Sequence, residues 1–238
     1  MTTAPDPNQL RQRLDTVRSR IEAAAQLSGR TTQEIKLIAV TKTHPAEVVR
    51  QGISEGLSEL GENRVQDAEA KIVSVGRTAA TWHLIGHLQS NKARPAVQLF
   101  DVIHSLDSVA LARKLDRACE QEARNELPVL IQVDLGHEPT KFGADEEQLS
   151  NLAKVVRECE RLRLSGLMTL PPFFDDPELT RPYFVKLREL RDLYQREGAF
   201  GSGAGELSMG MTQDFEVAIE EGATMVRVGT AIFGTREK

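Results

Sequence analysis

The segment IKLIAVTKTHP, residues 35–45, combines a short apolar run with a lysine at its end. A run of this length that is rich in Ile, Leu and Val is typical of a strand buried on both faces, as in a parallel sheet. Because side chains alternate along a strand, Lys42 continues the face of Ile38 and Val40 beyond the carboxyl end. Pro45, which is tolerated in the first turn of a helix, follows at once. This order of strand, lysine and helix suits a catalytic group on an α/β fold, although a lysine that only extends to water fits it equally well.

The composition is that of a soluble globular chain without a nucleic-acid or membrane signal. Of the 238 residues 40% are hydrophobic and 27% are charged, and the net charge is -5. An acidic balance gives no footprint for nucleic acid, and no apolar run approaches the ~20 residues of a membrane span. The first residues, MTTAPDPNQL, lack the apolar core of a signal peptide. Cys119 and Cys159 have no metal-ligand spacing, so we expect a cytoplasmic protein without a metal site.

Eight short apolar segments alternate with helix-like segments along the chain. After the first strand, the strand segments are 57–60, 82–85, 100–105, 128–134, 164–170, 207–209 and 225–228. The helix segments are 9–27, 44–51, 65–73, 92–99, 108–123, 145–161, 178–197 and 214–221. The alternation predicts a parallel sheet, and eight units in this length predict an α/β fold closed as a (β/α)8 TIM barrel with an extra N-terminal helix. An open doubly wound sheet is the alternative. We expect a single domain over residues 1–238, with residues 1–7 disordered.

In such a barrel the active site forms at the carboxyl ends of the strands, so the residues that follow each strand predict it. The first strand ends at Lys42, and the second runs into GENR, which places Asn63 on the neighbouring strand. Asn63 offers a donor and an acceptor, although a turn or cap is an equally good interpretation. The third strand runs into GHLQSNK at 86–92, whose role the sequence leaves open. Met168, in the sixth strand, would pack against a flat ligand or simply fill a gap.

The ends of the seventh and eighth strands resemble an anion site. Gly210 and Gly229 would let the backbone approach an anion closely, and Ser208 and Thr230 add hydroxyl donors. Phosphate sites recur at this position in the fold. Ordinary turn glycines and helix caps remain the alternative.

Arg227 lies inside the apolar strand VRVG, where a buried charge needs a partner. A structural ion pair is one interpretation of it. His83 and His87 flank a glycine without carboxylates or cysteines at metal-ligand spacing, so no metal site is expected there. Each is expected to be a core or loop histidine rather than a base.

A lysine together with a phosphate pocket indicates a phosphorylated carbonyl compound held as a Schiff base. Two candidates follow, a sugar-phosphate aldolase and a site for pyridoxal 5'-phosphate (PLP). An aldolase needs acids around its lysine, and Glu62 and Asp134 are available. The residues by themselves therefore leave both candidates open.

Six motifs together resemble one family, the pyridoxal phosphate homeostasis proteins. They are AVTK at 39–42, GENR at 61–64, HLIGHLQSNK at 83–92, GLMTL at 166–170, LSMGMTQDFEVAI at 207–219 and VRVGTAIFG at 226–234. The resemblance extends from about residue 10 to the end. It implies the fold-type III barrel of the alanine racemase N-terminal domain and PLP, a form of vitamin B6, as cofactor. By this resemblance Asn63 would lie beside the cofactor ring.

The resemblance also implies roles at the strand ends. Lys42 would carry PLP as an internal aldimine, and Ser208, Gly229 and Thr230 would hold the phosphate. Arg227 would face the pyridine nitrogen. Since arginine stays protonated, it donates to a neutral ring nitrogen without protonating it, which leaves the ring a poor electron sink.

We therefore predict a monomeric PLP carrier that buffers the cofactor and delivers it to apo-enzymes without notable turnover. A racemase needs a second base, and Tyr183 and Tyr194 fall within the helix at 178–197; we also expect no second domain to supply one. A small fold-type III racemase or lyase remains the alternative. Lys141, in PTKFG after the fifth strand, is a candidate second, transient lysine or a solvated loop lysine.

Overall fold

The computed structural model describes residues 7–136 and 142–234 of the chain. Within these ranges eight parallel strands form a closed barrel in sequence order, and β1 pairs with β8. The strands are β1 (Lys36–Val40), β2 (Glu59–Glu62), β3 (Thr81–Leu84), β4 (Val102–Leu106), β5 (Leu127–Gln132), β6 (Leu162–Met168), β7 (Glu206–Met211) and β8 (Met225–Val228). The helices are α1 (Pro7–Leu27), α2 (Ala46–Ser54), α3 (Val65–Val75), α4 (Ala93–Leu99), α5 (Val109–Gln121), α6 (Glu146–Glu158), α7 (Arg181–Arg196), α8 (Phe215–Glu220) and α9 (Thr230–Phe233). The predicted (β/α)8 barrel is confirmed, and the open doubly wound sheet is wrong.

The additional N-terminal helix is confirmed as α1. Its apolar residues recur every three or four positions, and Leu10, Leu14 and Val17 are buried on the face toward the barrel. Arg20 forms an ion pair with Glu216 on α8 at 2.5 Å. The disorder expected for residues 1–7 concerns residues 1–6, which lie outside the described residues, and Pro7, which begins α1.

Element boundaries differ from the prediction by about two residues in several places. The second strand was predicted at 57–60 but is Glu59–Glu62, because pairing with β1 and β3 sets its register. The helix predicted at 178–197 begins as a 3-10 turn, Pro177–Thr180, before α7. The short helix α9 was not predicted as an element, and the strand at 225–228 is confirmed in full.

The barrel has two apolar layers. The larger one lies between sheet and helices, and the smaller one fills the barrel axis with Ile38, Leu130, Met168 and Met225. Ile38 therefore points inward and Ala39 outward, as alternation along β1 requires. Lys42 follows β1 on the continuation of the inward-facing series, at the carboxyl end of the barrel.

Candidate functional site

Lys42 lies in the turn between β1 and α2, and its side chain is exposed. It has no hydrogen bond or ion pair with any residue in 7–136 or 142–234. The next residue, Thr43, has a φ of 70°, a region that β-branched residues rarely adopt. Backbone strain of this kind costs of order 1–3 kcal/mol and persists only where neighbouring structure holds it. The turn that presents Lys42 is thus held in a particular shape.

A buried ion pair holds that turn from behind. The Lys71 ammonium, on α3, donates to the carbonyl oxygen of Thr41 at 2.6 Å and to the carboxylate of Glu62. The Thr41 hydroxyl donates to the same carboxylate at 2.5 Å. Glu62 is fully buried and points away from the barrel axis, so the acid that the aldolase interpretation needed does not reach Lys42. Lys71 was missed from the sequence, because nothing in a helix pattern shows that its charge is buried.

Asn63 follows β2 on the inward-facing series and is half-buried at the barrel mouth. Gly86, after β3, lies against its backbone: a Cβ at Gly86 would be 2.3 Å from the Asn63 carbonyl oxygen. Asn63 borders an open cleft whose other walls come from residues 64–67 at the start of α3, from the GHLQSNK segment and from Phe142. In that cleft His87 stacks on Phe142 with ring centroids 3.6 Å apart. The structure thus brings Asn63 to the strand end beside β1, as predicted.

Two threonine hydroxyls meet where β7 and β8 end. Thr230 donates to Thr212 at 3.2 Å, and both lie at the barrel surface beside Gly229. A Cβ on Gly229 would be 3.3 Å from the Val40 carbonyl oxygen, so the glycine lets β8 end close to β1. Thr212 lies in the quoted LSMGMTQDFEVAI motif but was not singled out from the sequence.

Gly210 has a second explanation besides anion binding. Its φ is +90°, and a Cβ there would be 2.6 Å from the Ala218 Cβ of α8. Packing of β7 against α8 therefore requires a glycine at this position whether or not a ligand is bound.

Arg227 and Ser208 are both buried inside the barrel. The arginine donates to the Ser208 hydroxyl at 2.6 Å and to the Thr169 carbonyl oxygen at 2.9 Å. Burial lowers the pKa of Arg227 to about 10, and Asp214 partly offsets this, so the guanidinium stays charged at neutral pH. It forms no ion pair with a carboxylate in the described part of the chain. Three of its five N–H donors also have no acceptor there.

Ser208 continues into a chain of buried polar groups. Its Oγ lies 2.9 Å from His104 Nδ1, His104 Nε2 lies 2.9 Å from His83 Nδ1, and His83 Nε2 lies 2.7 Å from Glu59. Burial, followed by the charges of His83, Arg227 and Lys36, lowers the pKa of His104 well below its usual value. The expectation that His83 is a core residue is confirmed. His104 and Glu59 were missed, although a histidine in each of two apolar strands was a usable signal.

The remaining predicted residues lie at different depths. Met168 is fully buried in the axial layer, below the strand ends. The Asp134 carboxylate accepts from the Gly136 amide at 3.2 Å in the segment after β5. Lys141 lies outside the described residues. Tyr183 is in the first turn of α7, where its ring contacts Phe174, and Tyr194 is buried in the helix layer.

No three His, Cys, Asp or Glu side chains within residues 7–136 and 142–234 are grouped so that they could hold a metal ion. No helix among them is both long enough and apolar enough to cross a membrane.

The comparisons with known proteins agree on one family of barrels. The chain matches the family described as alanine racemase, N-terminal domain, over residues 12–237. The pyridoxal phosphate homeostasis protein of Aquifex aeolicus is 43% identical over 228 residues, which is 95% of this chain and 98% of that protein. PipY of Synechococcus elongatus PCC7942, solved with PLP bound, has a TM-score of 0.79 at 37% identity and covers 95% of this chain and 100% of its own.

Alanine racemase from Corynebacterium glutamicum has a TM-score of 0.70 at 18% identity, over 94% of this chain and 62% of that enzyme. At this identity the likeness concerns the barrel alone. The fold and the matched family place the chain in the class of alanine racemase-like barrels. Within that class, its identity to curated relatives over nearly their whole length shows that it belongs to the pyridoxal phosphate homeostasis protein family.

Proposed function

We propose that this protein binds PLP through a Schiff base at Lys42 and acts as an intracellular carrier that buffers and delivers the cofactor. The observation that carries the proposal is a pair of side chains on neighbouring strands. Lys42 after β1 is exposed and Arg227 on β8 is buried, and neither has a carboxylate partner among residues 7–136 and 142–234. PipY, a relative of nearly the same length, was solved with PLP bound, which supports the choice of ligand.

The chemistry of the donor set fits this cofactor. PLP offers an aldehyde, a phosphate dianion and a ring nitrogen. Lys42 supplies the amine, and the hydroxyls of Thr212 and Thr230 with the backbone at Gly229 supply anion donors at neighbouring strand ends. Arg227 retains N–H donors for a ring acceptor, and this is the contact that the family resemblance implied. Ser208 and Gly210 complete the proposed phosphate side, Asn63 the ring side and Met168 the floor.

Lys42 is the residue that makes the covalent bond. Its amine condenses with the aldehyde once deprotonated, and one water leaves, so the attachment is reversible by hydrolysis or by transfer to another amine. PLP, once bound, supplies a masked aldehyde whose free concentration the protein limits. Reversibility is what a carrier needs, because a recipient apo-enzyme offers a lysine of its own.

The same residues argue against turnover of amino acids. Arg227 stays protonated and donates to the ring nitrogen without transferring a proton, so the ring withdraws electrons weakly. Racemisation also needs a second acid–base group on the opposite face. Tyr194 is buried in the helix layer, Tyr183 contacts Phe174, and His83 and His104 bond each other on the barrel axis. We therefore favour a carrier over a racemase or lyase.

Titration of the protein with PLP, followed by its visible absorption, tests the proposal. We expect stoichiometric growth of a Schiff-base band in the wild type, and in Lys114→Ala, an exposed lysine on α5 that serves as a matched control. Lys42→Ala should lose the band. An unchanged band in Lys42→Ala would contradict the assignment.

Delivery needs a separate measurement. The loaded protein, mixed with an apo-aminotransferase, should restore the activity of the aminotransferase while the carrier loses bound PLP. If the aminotransferase is reactivated no faster than PLP dissociates from the carrier into solution, the protein stores PLP and does not deliver it.

We expect the carrier to act as a monomer. Size-exclusion chromatography with light scattering checks this in the loaded and free states.

A further inference from the structure

A chain of hydrogen bonds crosses the barrel interior from one end to the other. It joins side chains of five strands: Glu59 on β2, His83 on β3, His104 on β4, Ser208 on β7 and Arg227 on β8. Every link is between 2.6 and 2.9 Å. The proposed cofactor contacts use its upper members, Ser208 and Arg227, and leave the other three without a function.

The groups at the two ends of the chain determine which partner donates and which accepts at each hydrogen bond. Arg227 only donates, and an ionised Glu59 only accepts. His83 therefore carries its hydrogen on Nε2 toward Glu59, and its Nδ1 accepts from the Nε2–H of His104. The Nδ1 of His104 then accepts from the Ser208 hydroxyl. In this state the single hydroxyl hydrogen of Ser208 is used by His104 and is not offered to a ligand.

One proton added at the lower end exchanges donor and acceptor in the hydrogen bonds between His83 and His104 and between His104 and Ser208. If Glu59 is protonated, or if His83 becomes an imidazolium paired with ionised Glu59, the Nδ1–H of His83 donates to His104. His104 then donates its own Nδ1–H to Ser208. The Ser208 oxygen accepts from both His104 and Arg227, and its hydrogen is free to donate to a ligand. Whether the proton lies on Glu59 or on His83, the Ser208 hydroxyl hydrogen becomes available to a ligand.

Solvent reaches the lower end of the chain directly. Glu59 begins β2, and its side chain is 25% exposed, whereas that of His83 is 2% exposed. Glu59 borders a cleft at the amino ends of the strands, on the side of the barrel away from Lys42. A proton can therefore enter there while PLP occupies the mouth.

The charges around the chain keep the proton near Glu59. Among the described residues, the charged and titratable groups that face it are Lys36 of β1 with its partner Glu206 of β7, Arg227 of β8, Asp214 directly before α8, and Arg18 and Glu22 of α1 beside the cleft. Desolvation opposes a positive charge on His104, and the charges of His83, Arg227 and Lys36 oppose it further. His104 thus changes its tautomer without becoming charged.

We propose that His83 and His104 are positioning residues that couple proton uptake at Glu59 to the hydrogen-bond donor that Ser208 offers to the phosphate of PLP. This rests on the proposed function, since it takes PLP as the ligand at Ser208. PLP binding then draws about one proton into the lower end of the barrel.

Isothermal titration of PLP in HEPES and PIPES, whose ionisation enthalpies differ, counts the protons taken up. We expect the wild type to take up about one more proton per PLP than Glu59→Gln, because a glutamine amide can either donate to or accept from His83 without exchanging a proton. Glu126→Gln, an exposed position directly before β5 at the same end of the barrel but outside the chain and the charges around it, should keep the wild-type count. Equal counts in the wild type and Glu59→Gln would overturn the proposal and leave PLP binding intact.

A second readout needs no cofactor. In the ligand-free protein, 15N NMR of labelled histidines should place the His104 hydrogen on Nε2 at high pH and on Nδ1 once the Glu59–His83 end has gained its proton. Glu59→Gln should abolish this pH dependence. A His104 tautomer that stays the same while that end titrates would overturn the coupling, even if PLP proves not to bind at all.

Discussion

Two lysines lie close to the same turn, and they differ in the properties that govern amine chemistry. Lys71 is 7% exposed and forms an ion pair with Glu62, which holds its ammonium in place. Lys42 is exposed and has no partner in the described part of the chain. A Schiff base needs an amine that can reach the aldehyde. The exposed side chain of Lys42 is free to move at the barrel mouth, whereas the Lys71 ammonium is held in the turn by its ion pair.

The hydroxyl pair at the β7 and β8 ends gives a prediction for phosphate recognition. Thr230→Val keeps the side-chain shape and removes one donor, and a hydrogen bond to a charged group contributes about 1.5–3 kcal/mol. PLP affinity should therefore fall about 10- to 100-fold in a binding titration, since about 1.4 kcal/mol is tenfold. The affinity for pyridoxal, which lacks the phosphate, should not change. Thr16→Val, on an exposed face of α1, is the matched control, and an equal loss for both ligands would contradict the assignment.

Ser208 and Gly210 show which features of the site could not be predicted from the sequence. The anion-site interpretation selected Ser208 from its place at a strand end, but its hydroxyl bonds to Arg227 and to His104, which is 104 positions away. No local spacing relates β4 to β7, so only closure of the barrel brings the two side chains together. Gly210 shows the converse, because a glycine that suits an anion also suits tight packing against α8.

At the scale of secondary-structure elements, β1, β2 and α3 form one supporting unit for the Lys42 turn. Lys71 joins them through the Thr41 carbonyl oxygen and the Glu62 carboxylate. The second oxygen of Glu62 is buried without a partner among the described residues. Such a carboxylate depends strongly on its single cation, because desolvation of an unpaired charge is costly.

Removing that cation should destabilise the protein more than an ordinary core substitution. Lys71→Met leaves the Glu62 charge buried and unpaired, and we expect a loss of about 3–5 kcal/mol in the free energy of unfolding measured with urea. The double variant Lys71→Met with Glu62→Leu should recover most of it. If the double variant is as unstable as the single one, packing rather than charge is the cause.

The position of β2 explains why this unit was not predicted. The sequence indicated a strand at 57–60, which would have left Glu62 in the loop and free to face a substrate. Pairing of Gly61 with Val40 moves the strand two residues later and turns Glu62 toward α3. The apolar pattern locates a strand, but its partners set the register.

For the molecule as a whole, eight strand segments separated by helix segments were enough to predict the fold. The closed barrel follows because each parallel strand needs a crossover helix and eight such units complete the cylinder. The strand-end rule then located Lys42, Asn63 and Thr230 at one end of the barrel. What the rule could not give was the polar chain along the axis, since the inward-facing side chains of five strands become neighbours only after closure.

The buried axis should make the stability of the molecule depend on pH. His104 has a depressed pKa when folded and a value near 6.5 when unfolded, so the unfolded chain binds the extra proton as pH falls below that value. The free energy of unfolding should then drop by up to about 1.4 kcal/mol per pH unit from this group. His104→Gln should flatten the decline between pH 6.5 and 5 in urea titrations, whereas His87→Gln, at an exposed loop position, should not. Parallel declines in all three proteins would assign the pH dependence to other groups.

The carrier interpretation predicts little chemistry on amino acids. Incubation of the PLP-loaded protein with L-alanine in heavy water should give slow exchange at the α-carbon and no D-alanine, because Arg227 leaves the ring a weak electron sink. NMR and chiral chromatography measure the two quantities. Rapid exchange accompanied by D-alanine would restore the racemase as the better description of the molecule.

Mapping of the reduced adduct determines whether Lys42 holds PLP covalently, as we propose. The PLP-loaded protein is treated with borohydride, digested and analysed by mass spectrometry. We expect a phosphopyridoxyl group on Lys42 in the wild type and no main adduct in Lys42→Ala. A main adduct on any other lysine, or one that persists in Lys42→Ala, would contradict it.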